Sequence, residues 1–153
     1  MDTSNPDYNK IVTYIEHNPA AVLSTIGEDG PHGTVIYVIT ASHGTLCFVT
    51  KNKTKKYQNI LVNPAVYFTF FNDKEMTTLQ IAGKAYEADN TGGLKDLVID
   101  KATKAHALMS DWLPPVTKIK DGEFAVIGVD ISYARLTDYS NISMSEPTII
   151  EVK

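Results

Sequence analysis

Hydrophobic residues along this chain recur mostly at alternate positions or in short unbroken runs, which is the spacing of β-strands. Short clusters rich in Gly, Pro, Asn and Asp separate the runs and favour turns. The pattern predicts seven strands, at residues 20–26, 34–40, 45–50, 65–71, 77–88, 123–131 and 133–136. Gly83 lies inside the fifth strand, where a glycine is typical of a β-bulge or a close backbone approach.

Three segments have the apolar spacing of helices instead, namely residues 8–17, 55–61 and 92–109. Residues 110–122 and the tail 137–153 show no regular period. The strands outnumber the helices and follow one another through short turns. We therefore expect a mainly β (α+β) protein, an antiparallel barrel with flanking helices rather than a βαβ fold.

The composition is that of an ordinary soluble globular protein, with 43% hydrophobic and 21% charged residues. A chain of 153 residues suits a single domain over 1–153, with residues 1–7 and 140–153 peripheral. The formal net charge of -4 argues against nucleic acid as a partner. No apolar run approaches the roughly 18 residues needed to cross a bilayer, so no membrane partner is expected.

The single cysteine, Cys47, excludes an intramolecular disulfide and indicates a reducing compartment. It lies in a strand-like apolar run, where we expect a buried and unreactive thiol. The N-terminal residues are polar and lack the order of a signal peptide, a basic stretch followed by an apolar one. These features predict a cytoplasmic protein.

The side chains alone indicate neither a metal site nor a catalytic group. The four histidines never fall at the spacing of metal ligands, and they are His17, His32, His43 and His106. Gly27, Gly30 and Gly33 precede a β-branched strand rather than a helix, so we interpret them as turn residues and not as a dinucleotide-binding loop. No nucleophile elbow and no Cys/His pair stands out. Chemistry in this protein would need a cofactor.

The most unusual segment is the stretch Thr50-Lys51-Asn52-Lys53-Thr54-Lys55-Lys56, which holds four lysines in a protein with an acidic balance. Thr54 is the predicted N-cap of the short helix, so Lys55 and Lys56 fall in its first turn. Cations are unfavourable there, because a helix N-terminus already carries about half a positive charge. A bound anion such as a phosphate would resolve the conflict. A solvated basic loop is the alternative that this local pattern leaves open.

The order of strand, turn, strand, basic loop and short helix resembles the FMN-binding split-barrel family that includes pyridoxamine 5'-phosphate oxidase. The matching block runs from Gly30 to about Gly83, with a looser match over residues 124–136. Its sharpest part, Thr50-x-x-x-Thr54-Lys55-Lys56, is similar to the family motif T-x-x-x-S-R/K-K. The resemblance implies a six- to seven-stranded antiparallel split β-barrel that forms a homodimer, with two FMN molecules at the subunit interface.

The resemblance also implies roles for individual residues. Lys55 and Lys56 would bind the FMN phosphate, with help from Thr54 or nearby amides. Val49 and Thr50 would lie along the ribityl chain or the ring.

Other residues would contact the flavin ring. Main-chain groups of the segment Thr34, Val35, Ile36 and Tyr37 would line it, although the Tyr37 side chain also suits a strand core. Thr78 and Gln80 are candidate flavin contacts from the fifth strand, of which Thr78 has the better spacing. Trp112 would either cover a flavin across the dimer or plug the end of the barrel.

The sequence departs from the true oxidases at both ends of its second strand, where Thr34 and Ile39 replace basic residues. The first change weakens the binding of the FMN phosphate. Lys51 and Lys53 could compensate for this loss, although we expect both side chains to be solvated. The second removes a cation expected to hold the vitamin's phosphate. Residues 133–138 also lack the family's tryptophan-rich, arginine-bearing ending. Oxidation of pyridoxamine phosphate is therefore disfavoured, while flavin binding is not.

Three functions are compatible with the sequence. The first is an FMN-dependent oxidoreductase that acts on a small organic substrate. The second is a flavin-binding sensor, store or stress protein without turnover, and the third is a relative that holds the deazaflavin F420 or haem in the same groove. The strand at residues 65–71 is apolar on both faces. We expect one face to line the barrel and the other to form a subunit interface.

Overall fold

Eight strands form one antiparallel sheet in the computed structural model, which describes residues 4–40, 45–89, 93, 95–98, 100–101, 119–141 and 146–153. The strands are β1 Ala20–Gly27, β2 Gly30–Tyr37, β3 Ile39–Thr40, β4 Leu46–Lys51, β5 Ala65–Asn72, β6 Thr77–Glu87, β7 Phe124–Asp138 and β8 Thr148–Val152. The helices are α1 Pro6–His17 and α2 Lys55–Val62, and residues 95–98 and 100–101 are also helical. Within these ranges, no helix has the length and apolar content needed to cross a membrane.

The sheet curls back on itself because a single residue joins its two edge strands. The strands lie in the order β2-β1-β5-β6-β7-β4-β3, and β8 pairs with β7. β2 and β3 are at opposite ends of this order, yet only Val38 separates them in sequence. Because consecutive Cα atoms are about 3.8 Å apart, the two edges must meet there. The fold is the split barrel that the sequence predicts.

The main hydrophobic core fills the barrel. Alternate strand residues point inward, and the fully buried ones include Leu23, Phe48, Phe68, Phe70, Leu79, Ile81 and Ile127. The rings of Phe48 and Phe68 meet edge to face, with 6.3 Å between their centroids. Ile11 and Ile15 of α1 belong to the same core. The N-terminal helix therefore packs over the barrel, as its apolar spacing predicts.

A second, smaller apolar cluster lies on the outer side of β4. Cys47 is buried in it together with Ala88, Val98 and Val126. Burial raises the pKa of the Cys47 thiol to about 11, because an apolar environment disfavours the thiolate. The structure therefore confirms the expected burial of Cys47.

The predicted strands are all present, but three features of their arrangement differ. The strand predicted at 34–40 begins at Gly30 and is divided at Val38, and the last two predicted strands are one continuous strand, β7. The tail contains β8, so the prediction that residues 140–153 are peripheral is wrong for this strand. Val152 is buried in the main core and Ile150 packs against it. Ile149 is apolar but exposed, so apolar and polar residues do not alternate regularly in the sequence of β8.

Gly83 lies at a β-bulge, as predicted. The register between β6 and β7 shifts between Ala82 and Gly83. A Cβ atom at residue 83 would lie 2.6 Å from the carbonyl oxygen of Asp130, so only glycine allows this approach. The helix predicted over 92–109 is confirmed at 95–98 and 100–101. Its remaining residues, apart from residue 93, lie outside the described part of the chain.

Candidate functional site

The opening of the barrel leaves strand edges without a neighbouring strand. β3 pairs with β4 only at Cys47 and Leu46. Residues 48–51 of β4 therefore have β7 on one side and no described strand on the other. β2 pairs with β1 alone among the described strands. Backbone N–H and C=O groups along such edges can bind a ligand.

The N-terminus of α2 follows β4 directly and has no side-chain cap. Thr54 is its N-cap residue, as predicted, but its side chain accepts no hydrogen bond from the first turn. The Thr54 hydroxyl instead donates to the carbonyl oxygen of Lys51 at 2.8 Å and lies 3.0 Å from the Thr50 hydroxyl. The first turn also contains no acidic residue. The first amides of α2 therefore present partial positive charge with no side-chain acceptor.

Lys56 adds a partly desolvated cation to this helix N-terminus. Its side chain is half-buried, and its ammonium group makes no hydrogen bond or ion pair with any residue that the structure describes. Burial lowers the pKa of Lys56 below the ordinary lysine value. Water is withdrawn from the charged form, and no described carboxylate takes its place. A bound anion would supply the missing partner.

Lys55 has an acidic partner on the turn between β1 and β2. Its Nζ atom lies 2.8 Å from Oδ1 of Asp29 and 2.9 Å from Oδ2. The hydrogen bond from Lys55 lowers the pKa of Asp29. The two side chains are 48% and 70% exposed, so water screens the pair and it contributes little to stability. An incoming anion can therefore displace Asp29 from Lys55.

Lys51 and Lys53 do not behave alike, and the expectation of two solvated side chains is wrong for Lys51. Lys51 is only 9% exposed. Its Nζ atom donates to the carbonyl oxygen of Gly122 at 2.9 Å and lies 3.9 Å from the centroid of the Phe124 ring. Lys53 is exposed. Lys51 therefore ties β4 to the start of β7 and cannot replace the lost basic residue at position 34.

Packing against two neighbouring elements fixes the position of α2. Asn59 is buried and donates from Nδ2 to the Thr25 hydroxyl of β1 at 3.0 Å. A Cβ atom at residue 27 would lie 2.6 Å from Oδ1 of Asn59, so Gly27 allows the hairpin to approach the helix. On the other side, the Tyr57 hydroxyl donates to Glu87 at 2.6 Å. The first turn of α2 is thus held beside the β1–β2 turn.

The predicted ring-lining residues of β2 alternate between two faces of the sheet. Thr34 and Ile36 point to the barrel side, opposite the buried Leu23 and Ala21 of β1. Val35 and Tyr37 lie on the outer side, and Val35 is 60% exposed. Side chains from this segment therefore cannot all reach one ligand. A shared contact has to use the main chain, as the resemblance implies.

The two predicted residues of β4 are also divided between two surroundings. Thr50 is fully buried, and its hydroxyl is engaged with the Thr54 hydroxyl. Val49 is partly buried and packs against the cluster around Cys47. Thr50 is therefore joined to the N-cap of α2, whereas Val49 faces the opposite side of the strand.

Thr78 and Gln80 lie on the outer face of the sheet, away from the barrel interior. Gln80 pairs with Thr69 of β5 and with Arg135 of β7, and both Thr78 and Gln80 are half-buried. β1 and β5 separate β6 from β2 in the sheet. The structure of one chain therefore does not bring these two residues together with the lysines of α2. Trp112 lies outside the described residues.

The same outer face exposes apolar side chains. Val22, Val35 and Phe71 are 41%, 60% and 65% exposed. This confirms that β5 carries apolar residues on both faces, because Phe68 and Phe70 on its other face are fully buried.

Three polar residues near these features were not among the predicted site residues. Asp29 pairs with Lys55, while His32 Nδ1 and Arg135 Nε are buried without a hydrogen-bond partner among the described residues. His32 shares a strand face with Thr34, and that spacing was the available sequence signal. Asp29 gave none, since its partner Lys55 lies 26 residues later in the chain, and Arg135 gave none because its burial depends on the pairing of β7 with β6 and β8. No three His, Cys, Asp or Glu side chains within the described ranges are placed to hold a metal ion.

The sequence profile of the pyridoxamine 5'-phosphate oxidase family matches residues 9–138. No curated protein matches the sequence. Similar solved structures include a pyridoxamine 5'-phosphate oxidase-related, FMN-binding protein from Nostoc punctiforme (14% identity, TM-score 0.66, 97% of this chain and 98% of that one). The general stress protein 26 from Bacillus anthracis is also similar (19% identity, TM-score 0.62, 95% and 98%).

A heme-binding protein from Mycobacterium smegmatis shares the fold as well (13% identity, TM-score 0.66, 97% of this chain and 58% of that one). At such identities, likeness to a solved structure shows a common fold and no more. The family profile is the stronger finding, because it covers most of the chain, from within α1 to the end of β7. The protein therefore belongs to the pyridoxamine 5'-phosphate oxidase family.

Proposed function

We propose that the protein binds FMN, with the phosphate at the N-terminus of α2 and the ring along the edges of β2 and β4. The observation that carries this proposal is the half-buried ammonium of Lys56, which has no partner among the described residues. It lies in a first turn that has neither a side-chain cap nor an acidic residue. A phosphate would satisfy both the amides and the cation.

Lys55 and Thr54, which lie beside Lys56, differ in how readily they could bind a phosphate monoester. Lys55 becomes available when the anion displaces Asp29 from their exposed ion pair. The Thr54 hydroxyl is committed as a donor to the Lys51 carbonyl oxygen, so its role is to shape the N-cap rather than to bind phosphate. Lys56, Lys55 and the first amides of α2 would therefore provide most of the phosphate affinity.

Bound FMN supplies two-electron chemistry, and we propose that the protein uses it to oxidise or reduce a small organic substrate. The chain's part would be to hold the phosphate and to align the ring along the edges of β2 and β4. Oxidation of pyridoxamine phosphate stays disfavoured, because Ile39 replaces a basic residue and packs against the apolar cluster around Cys47. Position 39 thus offers no charge to a phosphorylated vitamin.

A second copy of the chain would complete the site. The outer face of the sheet carries Thr78 and Gln80, with the exposed Phe71 paired to Thr78 and the exposed Val35 farther along the same face on β2. Burial of such apolar surface favours association by about 25 cal/mol per Å2. We propose a homodimer in which this face meets the opening of the other barrel. Light scattering should give twice the chain mass at micromolar concentration, and a monomer would count against a shared site.

Two alternatives use the same fold differently. One alternative is a flavin-binding stress protein without turnover, since a general stress protein shares the fold. The other is a relative that holds haem or the deazaflavin F420 in the same groove, since a heme-binding protein also shares the fold. An absorbance spectrum of the purified protein separates these cofactors. Flavin bands that bleach on addition of NAD(P)H would favour the oxidoreductase, whereas a Soret band would favour haem.

The central test compares FMN with riboflavin, which lacks the phosphate. Replacing Lys55 and Lys56 together with alanine should weaken FMN by about 100-fold, equivalent to two lost charge-assisted hydrogen bonds, and riboflavin by little. The matched control replaces Lys53 and Lys74, two exposed lysines, and changes the net charge equally. Equal losses of FMN and riboflavin in the Lys55/Lys56 variant would contradict a phosphate site.

A further inference from the structure

His32 carries a buried polar atom for which the fold provides no partner. Its Nδ1 atom is inaccessible to solvent and makes no hydrogen bond with a described residue. A buried nitrogen without a partner is unfavourable, and in native proteins such groups usually meet water, an ion or a ligand. The half-buried ring lies on β2, near the β1–β2 turn.

His32 is related to the first turn of α2 in two ways. His32 pairs with Thr25 on the same face of the hairpin, and the Thr25 hydroxyl accepts a hydrogen bond from Asn59 of α2 at 3.0 Å. Lys55 and Lys56 precede Asn59 by four and three residues, so each of them lies about one helical turn from Asn59.

The second connection runs through the turn. Asp29 lies three residues before His32 and pairs with Lys55 at 2.8 Å. The hydrogen bond from Lys55 is the main cause of the lowered pKa of Asp29, and the charge of His32 contributes a smaller part. His32 therefore lies close to the same group of charges as Lys55.

Neither β2 nor β4 offers a free cation to the proposed phosphate site. Thr34 is uncharged, and the ammonium group of Lys51 is bound to the Gly122 carbonyl oxygen and the Phe124 ring. Lys53 is exposed. His32 lies two residues before Thr34 on the same strand face, about 6.6 Å away along the strand. It is thus the described residue of β2 best placed to supply the missing donor.

We propose that His32 is a third phosphate-binding residue. On anion binding its ring turns, so that Nδ1–H, which is buried in the cofactor-free chain, donates to an oxygen of the anion held by Lys56 and the first amides of α2. This inference rests on the proposed FMN function and adds a residue from β2 to it. Asp29 acts in the opposite sense, because its carboxylate occupies Lys55 and would repel an incoming phosphate. His32 and Asp29 together set how strongly the site prefers a phosphorylated flavin.

Titration of the cofactor-free protein with FMN and with riboflavin tests this assignment. His32→Ala should weaken FMN about tenfold, the effect of one lost hydrogen bond to a charged group, and should leave riboflavin within about twofold. His32→Asn keeps an N–H near the position of Nδ1 and should retain most of the FMN affinity. Asp29→Asn should strengthen FMN roughly threefold, the scale of an exposed ion pair. His17→Ala, at the exposed end of α1, is the matched control.

A second measurement covers the case in which a His32 variant does not fold. In the wild-type protein labelled with 15N at histidine, the His32 Nδ1 resonance should shift on addition of FMN and not of riboflavin. Unchanged FMN affinity in His32→Ala, or a His32 resonance that FMN does not shift, would overturn the role of His32 but not the proposed function. Equal affinity of the wild type for FMN and riboflavin would overturn the proposed function, and this inference with it.

Discussion

Lys51 and Lys56 lie five residues apart in one basic segment, but their ammonium groups have different surroundings in the fold. Lys51 is buried, and its ammonium group has both a carbonyl oxygen at 2.9 Å and an aromatic ring at 3.9 Å. Lys56 is half-buried and has no described partner. The first lysine is satisfied within the chain, and the second is the one that we propose binds the phosphate.

The difference teaches that local charge density does not identify a binding residue. The backbone around Lys51 is joined to β7, since Asn52 N donates to the Glu123 carbonyl oxygen at 3.0 Å and Glu123 N donates to Asn52 Oδ1 at 3.0 Å. Lys56 instead follows an N-cap whose side chain turns back to Lys51. The first half of the segment is structural, and the second half is open to an anion.

Lys51 should give the largest effect on stability. Lys51→Ala removes a buried charged hydrogen bond and is expected to lower the free energy of unfolding by about 2 kcal/mol. Lys51→Met keeps the apolar stem and should lose about half as much. Urea denaturation measures both variants. The ratio of FMN to riboflavin affinity should not change, and a selective loss of FMN would reverse the roles of the two lysines.

Lys56 should show the converse behaviour. Lys56→Met is expected to weaken FMN about tenfold, the value of one charge-assisted hydrogen bond, while riboflavin affinity stays within about twofold. The cofactor-free variant should be no less stable than the wild type, because a partly desolvated charge has been removed. Calorimetric titration and thermal unfolding test these expectations. A large loss of stability would show that Lys56 is structural after all.

Alkaline pH should test the desolvation of the Lys56 ammonium group in the wild-type protein. The lowered pKa of Lys56 means that the unfolded chain binds this proton more tightly than the folded chain does. The resulting penalty is complete below the folded pKa. It is relieved as pH rises from there toward the unfolded value of about 10.4. The cofactor-free wild type should therefore gain stability relative to Lys56→Gln over that window.

The measurement is urea denaturation of both proteins between neutral pH and about pH 10.4. Saturating FMN should abolish the relative gain, because a bound phosphate favours the charged form of Lys56. A difference between wild type and variant that is independent of pH, with and without FMN, would contradict the assignment of a desolvated ammonium.

Lys53 should have the smallest effect and sets the baseline for the comparison. Its side chain is exposed, so Lys53→Ala should change stability by less than about 0.5 kcal/mol. FMN affinity should fall by less than about twofold, through long-range charge alone. The same titrations measure it. A loss as large as that of Lys56→Met would mean that phosphate binding depends on the total charge of the segment.

Much of the fold could be predicted from the sequence because it depends on local signals. Strand alternation located the seven strands, Asn63-Pro64 ended α2, and Gly83 marked the bulge. β8 was missed because only alternate residues of a five-residue strand point inward and Ile149 is exposed. Lys51 was misjudged because the carbonyl oxygen that binds it lies 71 residues later in the chain.

By itself, the sequence determined the barrel, the family and the position of the helix N-terminus, because alternation, capping and turns act between residues close in the chain. Only the tertiary structure decided which lysine is satisfied and which is not, and that His32 and Asp29 lie near Lys55 and Lys56. Those facts depend on desolvation and on partners brought together by the closure of the sheet. Neither the desolvation of a side chain nor its distant partners can be read from the order of neighbouring residues.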